Sequence, residues 1–314
     1  MKGLELSRQF YNEYGKPLLE QNFPHLLPFI AVGLAGSGSE CYGFDDSISQ
    51  DHDLEPAFCI FLPDEEVLSR KDAFELERAY AKLPKEFLGF SRSGPSAVGG
   101  ARHGVIRISD FLLQKTGTKN GELSIEAWFS VPEYSLLEAV NGEIFFDNYG
   151  LISAARQKLA YFPEDVRLKK LCGHLLLMGQ SGQYNYHRCI KRGDTAAAQL
   201  AVIEFTKSAM QALFLQAKKY MPYYKWSFHS LKEISPQHKE WANMLEFLIS
   251  SGNDNATAQE KCDIIEKICE QISLENKKQG LCASEKASME EQAYLLNMKI
   301  KDNEIRNLHI LCGV

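Results

Sequence analysis

The sequence predicts an α+β protein of two domains, with a sheet-containing domain over residues 1–150 and a helical bundle over residues 151–314. Up to about residue 150, short apolar runs alternate with glycine and proline breaks, whereas beyond it apolar residues recur at the 3.6-residue helical period. A chain of 314 residues with 45% hydrophobic content can bury a sizeable core and normally divides into two domains.

The first domain is predicted to open with an amphipathic helix, because apolar residues recur among charged ones from Leu4 to Leu18. The elements expected next are strands at 29–34 and 54–62, a helix across 65–88, and strands near 104–108 and 124–130. The glycine-rich segment from Gly89 to Arg102 predicts either a loop that closes over a substrate or a plain surface connection.

The second domain is predicted to be a helical bundle. Its periodicity predicts helices over 165–178, 196–220, 239–249 and 254–279. The tail from Cys282 to Val314 is expected to add one more helix and a short final strand or coil.

Charge and cysteine usage narrow the class of protein. A net charge of −6 and a pI near 5.8 disfavour nucleic acid as a partner and favour a small substrate over a polynucleotide. The eight cysteines are scattered through a long chain without a secretory leader, which is typical of reduced thiols in a cytoplasmic protein. No run approaches the roughly 20 apolar residues of a membrane span, so we expect no membrane contact.

A turn rich in glycine and serine follows the apolar run at 29–34 and consists of Gly36, Ser37, Gly38 and Ser39. Glycine lets the backbone approach a phosphate closely because no Cβ intervenes. A helix that starts near Ser39 would turn its free N–H groups and positive dipole end toward the same anion. We therefore predict that these four residues bind phosphate.

Two carboxylates precede the strand at 54–62. Asp51 and Asp53 stand two residues apart, so on a strand both point to one face, while His52 points to the other. Mg²⁺ usually takes one or two protein carboxylates and completes its shell with water and substrate phosphates. The pair therefore predicts a site for Mg²⁺ or Mn²⁺ beside a nucleoside triphosphate.

The residues of this chain do not have the spacing that other glycine-rich nucleotide-binding motifs require. A dinucleotide fingerprint starting at Gly36 requires glycine or alanine where Cys41 stands, and a P-loop starting at Gly33 requires lysine where Ser39 stands. The chain also contains no HExxH zinc motif.

The pattern of Gly38-Ser39, Gly43 and Ser49-x-Asp51-x-Asp53 resembles the signature of the polymerase-β-like nucleotidyltransferase superfamily, which includes the kanamycin, lincosamide and minimal nucleotidyltransferases. The longer string from Gly36 to Asp53 is similar to an uncharacterised bacterial branch, and this resemblance covers about positions 1–230. It implies a nucleotidyltransferase fold, a small mixed sheet with helices, followed by a carboxy-terminal helical domain.

The resemblance also implies a reaction. Asp51 and Asp53 would bind the metals of an in-line attack on the α-phosphate, and AMP would pass from ATP to a hydroxyl of a small molecule. Two alternatives stay open: transfer to a protein or a tRNA end, and nucleotide binding without turnover. The sequence leaves open whether the chain forms a homodimer.

Most members of the superfamily carry a third carboxylate on a later strand. The run at 104–108 contains no acid, so Glu126 is the first candidate, followed by Asp110 and Asp147. If none of them reaches the metals, the alternative of nucleotide binding without turnover is favoured.

A compact aromatic and basic unit follows Pro222. Tyr223, Lys225 and Trp226 form either part of a solvated helix face with a buried aromatic corner, or a unit that stacks a base and contacts a phosphate. The resemblance favours the second interpretation, so Lys225 is a predicted nucleotide-binding residue. Arg156 is expected to be an ordinary surface residue.

Overall fold

A computed structural model of the chain describes residues 1–48, 54–92, 102–282 and 288–314. It divides into two compact units. The first consists of Met1–Ala127 and Tyr134–Ala160, and the second of Trp128–Glu133 and Tyr161–Val314. The chain therefore enters the second unit at Trp128, returns to the first at Tyr134 and leaves it again after Ala160. The mixture of a small sheet with many helices confirms the α+β prediction at that level.

A four-stranded mixed sheet forms the centre of the first unit. Its strands are β1 (Ala31–Leu34), β2 (Cys59–Leu62), β5 (Gly104–Arg107) and β6 (Glu143–Asp147), in the order β5-β2-β1-β6. β1 runs antiparallel to β2 and to β6, whereas β2 and β5 are parallel. The strands predicted at 29–34, 54–62 and 104–108 are thus present with shorter bounds.

The helices of the first unit surround this sheet. The amino-terminal helix is continuous through α1 (Gly3–Phe10), a π-helical turn (Tyr11–Gly15) and α2 (Lys16–Asn22). The others are α3 (Ser39–Tyr42), α4 (Arg70–Ala81), α5 (Ile108–Thr116), α6 (Ile125–Ser130), α7 (Glu133–Val140) and α8 (Leu151–Lys158). Both α6 and α7 cross between the units, at residues 127/128 and 133/134 respectively.

The amino-terminal helix packs its apolar face on the sheet. Leu6 and Phe10 share a buried cluster with Val32, Phe58 and Ile60, and all five are fully buried. Apolar burial of this kind contributes about 1.5–3 kcal/mol for each large side chain. The cluster therefore anchors α1 beside β1 and β2.

Two expectations for the first unit were wrong. The helix predicted across 65–88 ends at Ala81 in α4, and a hairpin follows, formed by β3 (Glu86–Phe87) and β4 (Phe90–Ser91). Leu88 and Gly89 both have positive φ, as a two-residue hairpin turn of type I′ requires. The strand predicted at 124–130 is instead helix α6. Ser124 accepts a hydrogen bond from the Ala127 N–H at 3.2 Å, as a helix N-cap does.

The second unit is helical in its described residues. Its longest helices are α9 (Glu164–Met178), which continues through a π-helical stretch (Gly179–Tyr186) into α10 (His187–Lys191), then α11 (Thr195–Gln216), α12 (Tyr224–Ile234), α13 (Pro236–Ser250) and α14 (Asn255–Lys278). The tail contains two helices, α15 (Met289–Asn297) and α16 (Asn303–Asn307), where the sequence predicted one and a strand or coil.

The buried lysine Lys169 binds the carboxy-terminal segment of the second unit. Lys169 is fully buried, and its Nζ donates to Asn297 Oδ1 and to the carbonyl oxygens of Arg306 and Leu308 at 2.7–3.0 Å. Burial lowers the pKa of Lys169, so the three acceptors supply what lost hydration would have given. Among the described residues, no helix is both long enough and apolar enough to span a bilayer.

Candidate functional site

The glycine turn predicted to bind phosphate connects β1 to α3. Gly36 and Gly38 have φ values of +118° and +127°, in the region that disfavours every residue with a Cβ. A Cβ placed on Gly38 would also overlap the carboxylate of Glu40. Helix α3 starts at Ser39 as expected, but it has only four residues, so its dipole is much weaker than that of a long helix.

Ser39 stands at the start of α3 with its hydroxyl enclosed. The residue is 1% exposed, and Oγ has no hydrogen-bond partner among the described residues. A buried hydroxyl without a partner costs free energy that a bound acceptor recovers. An oxygen-rich ligand at the turn would provide that acceptor.

Ser37 belongs to a network of partly buried polar side chains. Its Oγ donates to Glu138 Oε2 at 2.8 Å and accepts from Lys115 Nζ at 2.7 Å. Lys115 also donates to Glu138 at 2.6 Å, and the Tyr42 hydroxyl donates to the other Glu138 oxygen at 3.2 Å. Burial, together with Glu138, raises the pKa of Tyr42, which keeps its hydroxyl protonated as a donor.

The loop between α7 and β6 holds the turn from the other side. Asn141 exchanges two hydrogen bonds with the backbone of Gly36, so the Gly36 N–H is already donating within the protein. The next residue, Gly142, donates its N–H to the carbonyl oxygen of Cys41 at 2.9 Å. A Cβ on Gly142 would overlap the Leu34 carbonyl oxygen, so glycine is required for this close approach.

The predicted metal ligands Asp51 and Asp53 lie outside the described residues. The residue that follows them, Leu54, is described and buried. A Cβ placed on Gly3 would meet both Leu54 Cδ1 and Glu40 Cβ, so these two side chains pack against one glycine. The chain segment next to Asp53 is therefore adjacent to helix α3.

The register of the strands independently brings the residues before β2 close to the residues after β1. Gly33 pairs with Cys59 in the antiparallel β1–β2 ladder, so the end of β1 and the beginning of β2 lie at one edge of the sheet. Cys59 also pairs with Gly104 in the parallel β2–β5 ladder, which brings the residues before β5 to that edge. His103 is one of them, and its Nε2 lies 3.8 Å from Glu40 Oε1.

The candidates for a third carboxylate lie elsewhere. Glu126 is exposed on helix α6, not on a strand as predicted, and its pKa is lowered by hydrogen bonds from its own N–H and from Ser124. Asp147 caps α8 by accepting from the N–H groups of Gly150 and Ser153. Asp110 is exposed on α5. The described residues contain no group of three side chains arranged to hold a metal ion.

Glu40 is a carboxylate that the sequence reasoning missed. It is 3% exposed, on the first turn of α3, with its carboxylate beside Gly38. Its position directly after Ser39 was the only signal in the sequence, and its burial was not predictable because glutamate is usually exposed.

Lys225 lies in the second unit, whereas the glycine turn lies in the first. It is exposed on helix α12, and its Nζ lies 5.4 Å from the centre of the Trp226 ring. Tyr223 and Tyr224 are also exposed, with ring centres 4.5 Å apart, so these two rings do not form a buried aromatic corner, while an exposed helix face matches the first interpretation.

Arg156 is not the surface residue that was expected. Its Nη2 donates to the Val140 carbonyl oxygen at 2.7 Å, and Nη1 is buried without a hydrogen-bond partner among the described residues. Burial lowers the pKa of this guanidinium. Because Val140 ends α7 directly before Asn141, Arg156 supports the loop that holds the glycine turn.

A family model described as a domain of unknown function (DUF4037) matches residues 128–227. No curated protein and no solved structure gives a significant match to the chain. The matched region begins where the chain first enters the second unit and ends within α12. The glycine turn and the two aspartates lie outside it.

Proposed function

We propose that the protein is a Mg²⁺-dependent nucleotidyltransferase that moves a nucleoside monophosphate, AMP from ATP, to a hydroxyl group of a small molecule. One observation carries the proposal: the antiparallel register of β1 and β2 brings the glycine turn and the chain that follows Asp53 to one edge of the sheet. A triphosphate-binding turn and a pair of metal-binding carboxylates must be neighbours for this reaction.

The residue types of the glycine turn and of the Asp51/Asp53 pair suit the chemistry. Asp51 and Asp53 supply the hard oxygen ligands that Mg²⁺ prefers, and the metal, when bound, stabilises the charge that develops on the attacking and leaving oxygens. Gly38 holds the turn in a backbone conformation that favours glycine, and Ser39 offers a buried hydroxyl as a hydrogen-bond donor.

Glu40 takes the place of the third carboxylate in this proposal. Its side chain packs against Gly3 together with Leu54, the residue after Asp53, whereas Glu126 is exposed to solvent on a helix. A buried carboxylate next to a histidine is suited to accept a proton from the acceptor hydroxyl.

A nucleotide-binding module without turnover is the second candidate. Strand β5 has the sequence Gly104-Val105-Ile106-Arg107 and thus carries no acid, and the Arg107 guanidinium is occupied by the carbonyl oxygens of Pro63 and Leu68. In this candidate the turn and the aspartates bind MgATP, but no group accepts the proton of an acceptor.

The proposal is tested first by calorimetric titration of MgATP and the other triphosphates into the intact chain and into Asp51→Ala/Asp53→Ala. We expect binding that requires the metal and is lost in the double variant. The matched control is Glu75→Ala/Glu77→Ala, which removes two exposed carboxylates, also two residues apart, from α4 in the same unit. Absence of binding to any triphosphate contradicts both candidates.

Turnover is tested next with α-labelled ATP and a panel of small hydroxyl compounds, proteins and tRNA. Label transferred to a small molecule supports the first candidate, and label on protein or tRNA identifies a macromolecular acceptor instead. Metal-dependent binding without transfer to any of them, or to water, favours the binding module.

A further inference from the structure

Lys115 lies beside the glycine turn although it is far from the turn in sequence. It is in the last turn of α5, and its Nζ lies 2.7 Å from Ser37 Oγ, one residue before Gly38. The side chains of Lys115 and its counter-ion Glu138 are 10% and 14% exposed, so both are largely removed from water. A cation thus lies beside the glycine turn that is predicted to bind phosphate.

The Lys115–Glu138 pair is not explained by a contribution to the stability of the fold alone. Removing two charges from water costs free energy that their mutual attraction often does not recover, and apolar residues of similar size are frequently as good. The pair also forms hydrogen bonds with Ser37 and Tyr42, both close to Gly38 in sequence.

Glu138 is suited to be the counter-ion of Lys115 while no ligand is bound. One of its oxygens accepts from both Lys115 and Ser37, while the other accepts from Tyr42. If Lys115 turns toward another anion, Tyr42 and Ser37 still donate to Glu138, so the carboxylate keeps two hydrogen bonds. The lysine is therefore the movable member of the network.

We propose that Lys115 is a phosphate-binding residue of the glycine turn, held by Glu138 until a polyphosphate chain binds beside Ser37 and Gly38. A lysine ammonium is a compact charge on a flexible stem and needs no fixed geometry to contact a phosphate. Glu138 competes with the phosphate for it and lowers the affinity. The inference rests on the proposed function for the identity of the ligand, a nucleoside triphosphate.

The two members of the pair are expected to have opposite effects on binding. Lys115→Gln removes the attractive charge, whereas Glu138→Gln removes the competing one and keeps groups that can bond to Ser37 and Tyr42. We measure the affinities for inorganic tripolyphosphate and for MgATP by calorimetry at low and high salt. Lys115→Gln should weaken both at least tenfold and reduce the salt dependence, and Glu138→Gln should tighten both several-fold.

Lys158→Gln is the matched control. Lys158 forms an ion pair with Glu122 in the same unit at 2.7 Å, but both side chains are about half exposed, so its loss should leave both affinities unchanged. If Lys115→Gln does not fold, Lys115→Gln/Glu138→Gln avoids an unpaired buried charge. Our proposal requires this double variant to bind tripolyphosphate more weakly than the native chain does.

The outcomes separate this inference from the proposed function. Equal weakening by Lys115→Gln and Glu138→Gln, or native affinity in the double variant, shows a structural pair and overturns the inference while MgATP binding through Asp51 and Asp53 stands. No binding of tripolyphosphate by the native chain overturns it as well. Binding of tripolyphosphate that depends on Lys115, without any MgATP binding, keeps the inference and overturns the proposed function.

Discussion

The side-chain amide of Asn141 pairs with the backbone of Gly36 as one peptide group pairs with another. Asn141 Oδ1 accepts from the Gly36 N–H at 2.9 Å, and Nδ2 donates to the Gly36 carbonyl oxygen at 2.8 Å. A glycine turn is intrinsically mobile because glycine has many accessible conformations. The paired amide therefore fixes the turn in one conformation before any ligand arrives.

Asn141→Ala should both destabilise the protein and weaken MgATP binding. It leaves two backbone groups without partners, which costs about 1–3 kcal/mol in free energy of unfolding, and it frees the turn to move. Urea denaturation and calorimetric titration measure the two effects. Asn148→Ala is the control, because it removes a single exposed hydrogen bond to the Leu27 carbonyl oxygen. Native MgATP affinity in Asn141→Ala would show that the turn needs no support.

The sequence predicted the turn but not what surrounds it. An apolar run that breaks into glycines is a local signal, and β1, Gly38 and the start of α3 follow from it. Lys115, Glu138 and Asn141 are 78 to 105 residues from the groups they contact in the turn, and no local pattern marks such partners.

The errors in the secondary structure predicted from the sequence have local causes. β6 was missed because it has three apolar residues between two acids, and all five residues are only half-buried, as in an edge strand. The segment at 124–130 is a short, largely apolar run like a strand, but the Ser124 cap initiates a helix. The contact of Trp128 with Phe162, at 5.8 Å between ring centres, then stabilises that helix within the second unit.

Gly38→Ala should weaken MgATP binding strongly. The added methyl group requires a backbone with φ of +127° to accept a Cβ, and it overlaps the carboxylate of Glu40. We expect affinity to fall at least tenfold. Gly150→Ala is the control: φ there is +79° and no atom lies within 4 Å of the new Cβ, so it introduces strain without a clash. It should cost about 1–2 kcal/mol in stability and leave MgATP affinity intact. Equal effects of the two variants on binding would contradict a specific role for Gly38.

Glu40→Gln and Glu126→Gln distinguish the two candidate carboxylates. If Glu40 lies beside the metals, Glu40→Gln should weaken Mn²⁺ binding in the presence of ATP by roughly 10- to 100-fold, as loss of a metal ligand or of its partner does. Glu126→Gln should leave it unchanged, because Glu126 is exposed on α6. Electron paramagnetic resonance measures free Mn²⁺ directly, and thermal denaturation of both variants checks that each is folded. Weaker Mn²⁺ binding in Glu126→Gln, but not in Glu40→Gln, would assign the role of the third carboxylate to Glu126.

His174 should make the stability of the protein depend on pH. It is 8% exposed on α9, Nδ1 has no hydrogen-bond partner among the described residues, and burial lowers its pKa to about 3, with Lys170 and Lys207 adding repulsion. The folded state thus holds a neutral imidazole, whereas the unfolded chain takes up a proton near pH 6.5. Its contribution to stability is complete above pH 6.5 and is lost as the pH falls from there toward 3.

The loss amounts to about 1.4 kcal/mol for each pH unit below the unfolded pKa, or about 2–3 kcal/mol between pH 6.5 and 4.5. His174→Leu removes the titrating group at similar volume, so its free energy of unfolding should fall less over that range. Urea denaturation at half-unit steps of pH measures the difference between the two profiles. His187→Leu is the control, because His187 is exposed on α10. A difference between His174→Leu and the native chain that stays constant with pH would show that His174 is not the group responsible.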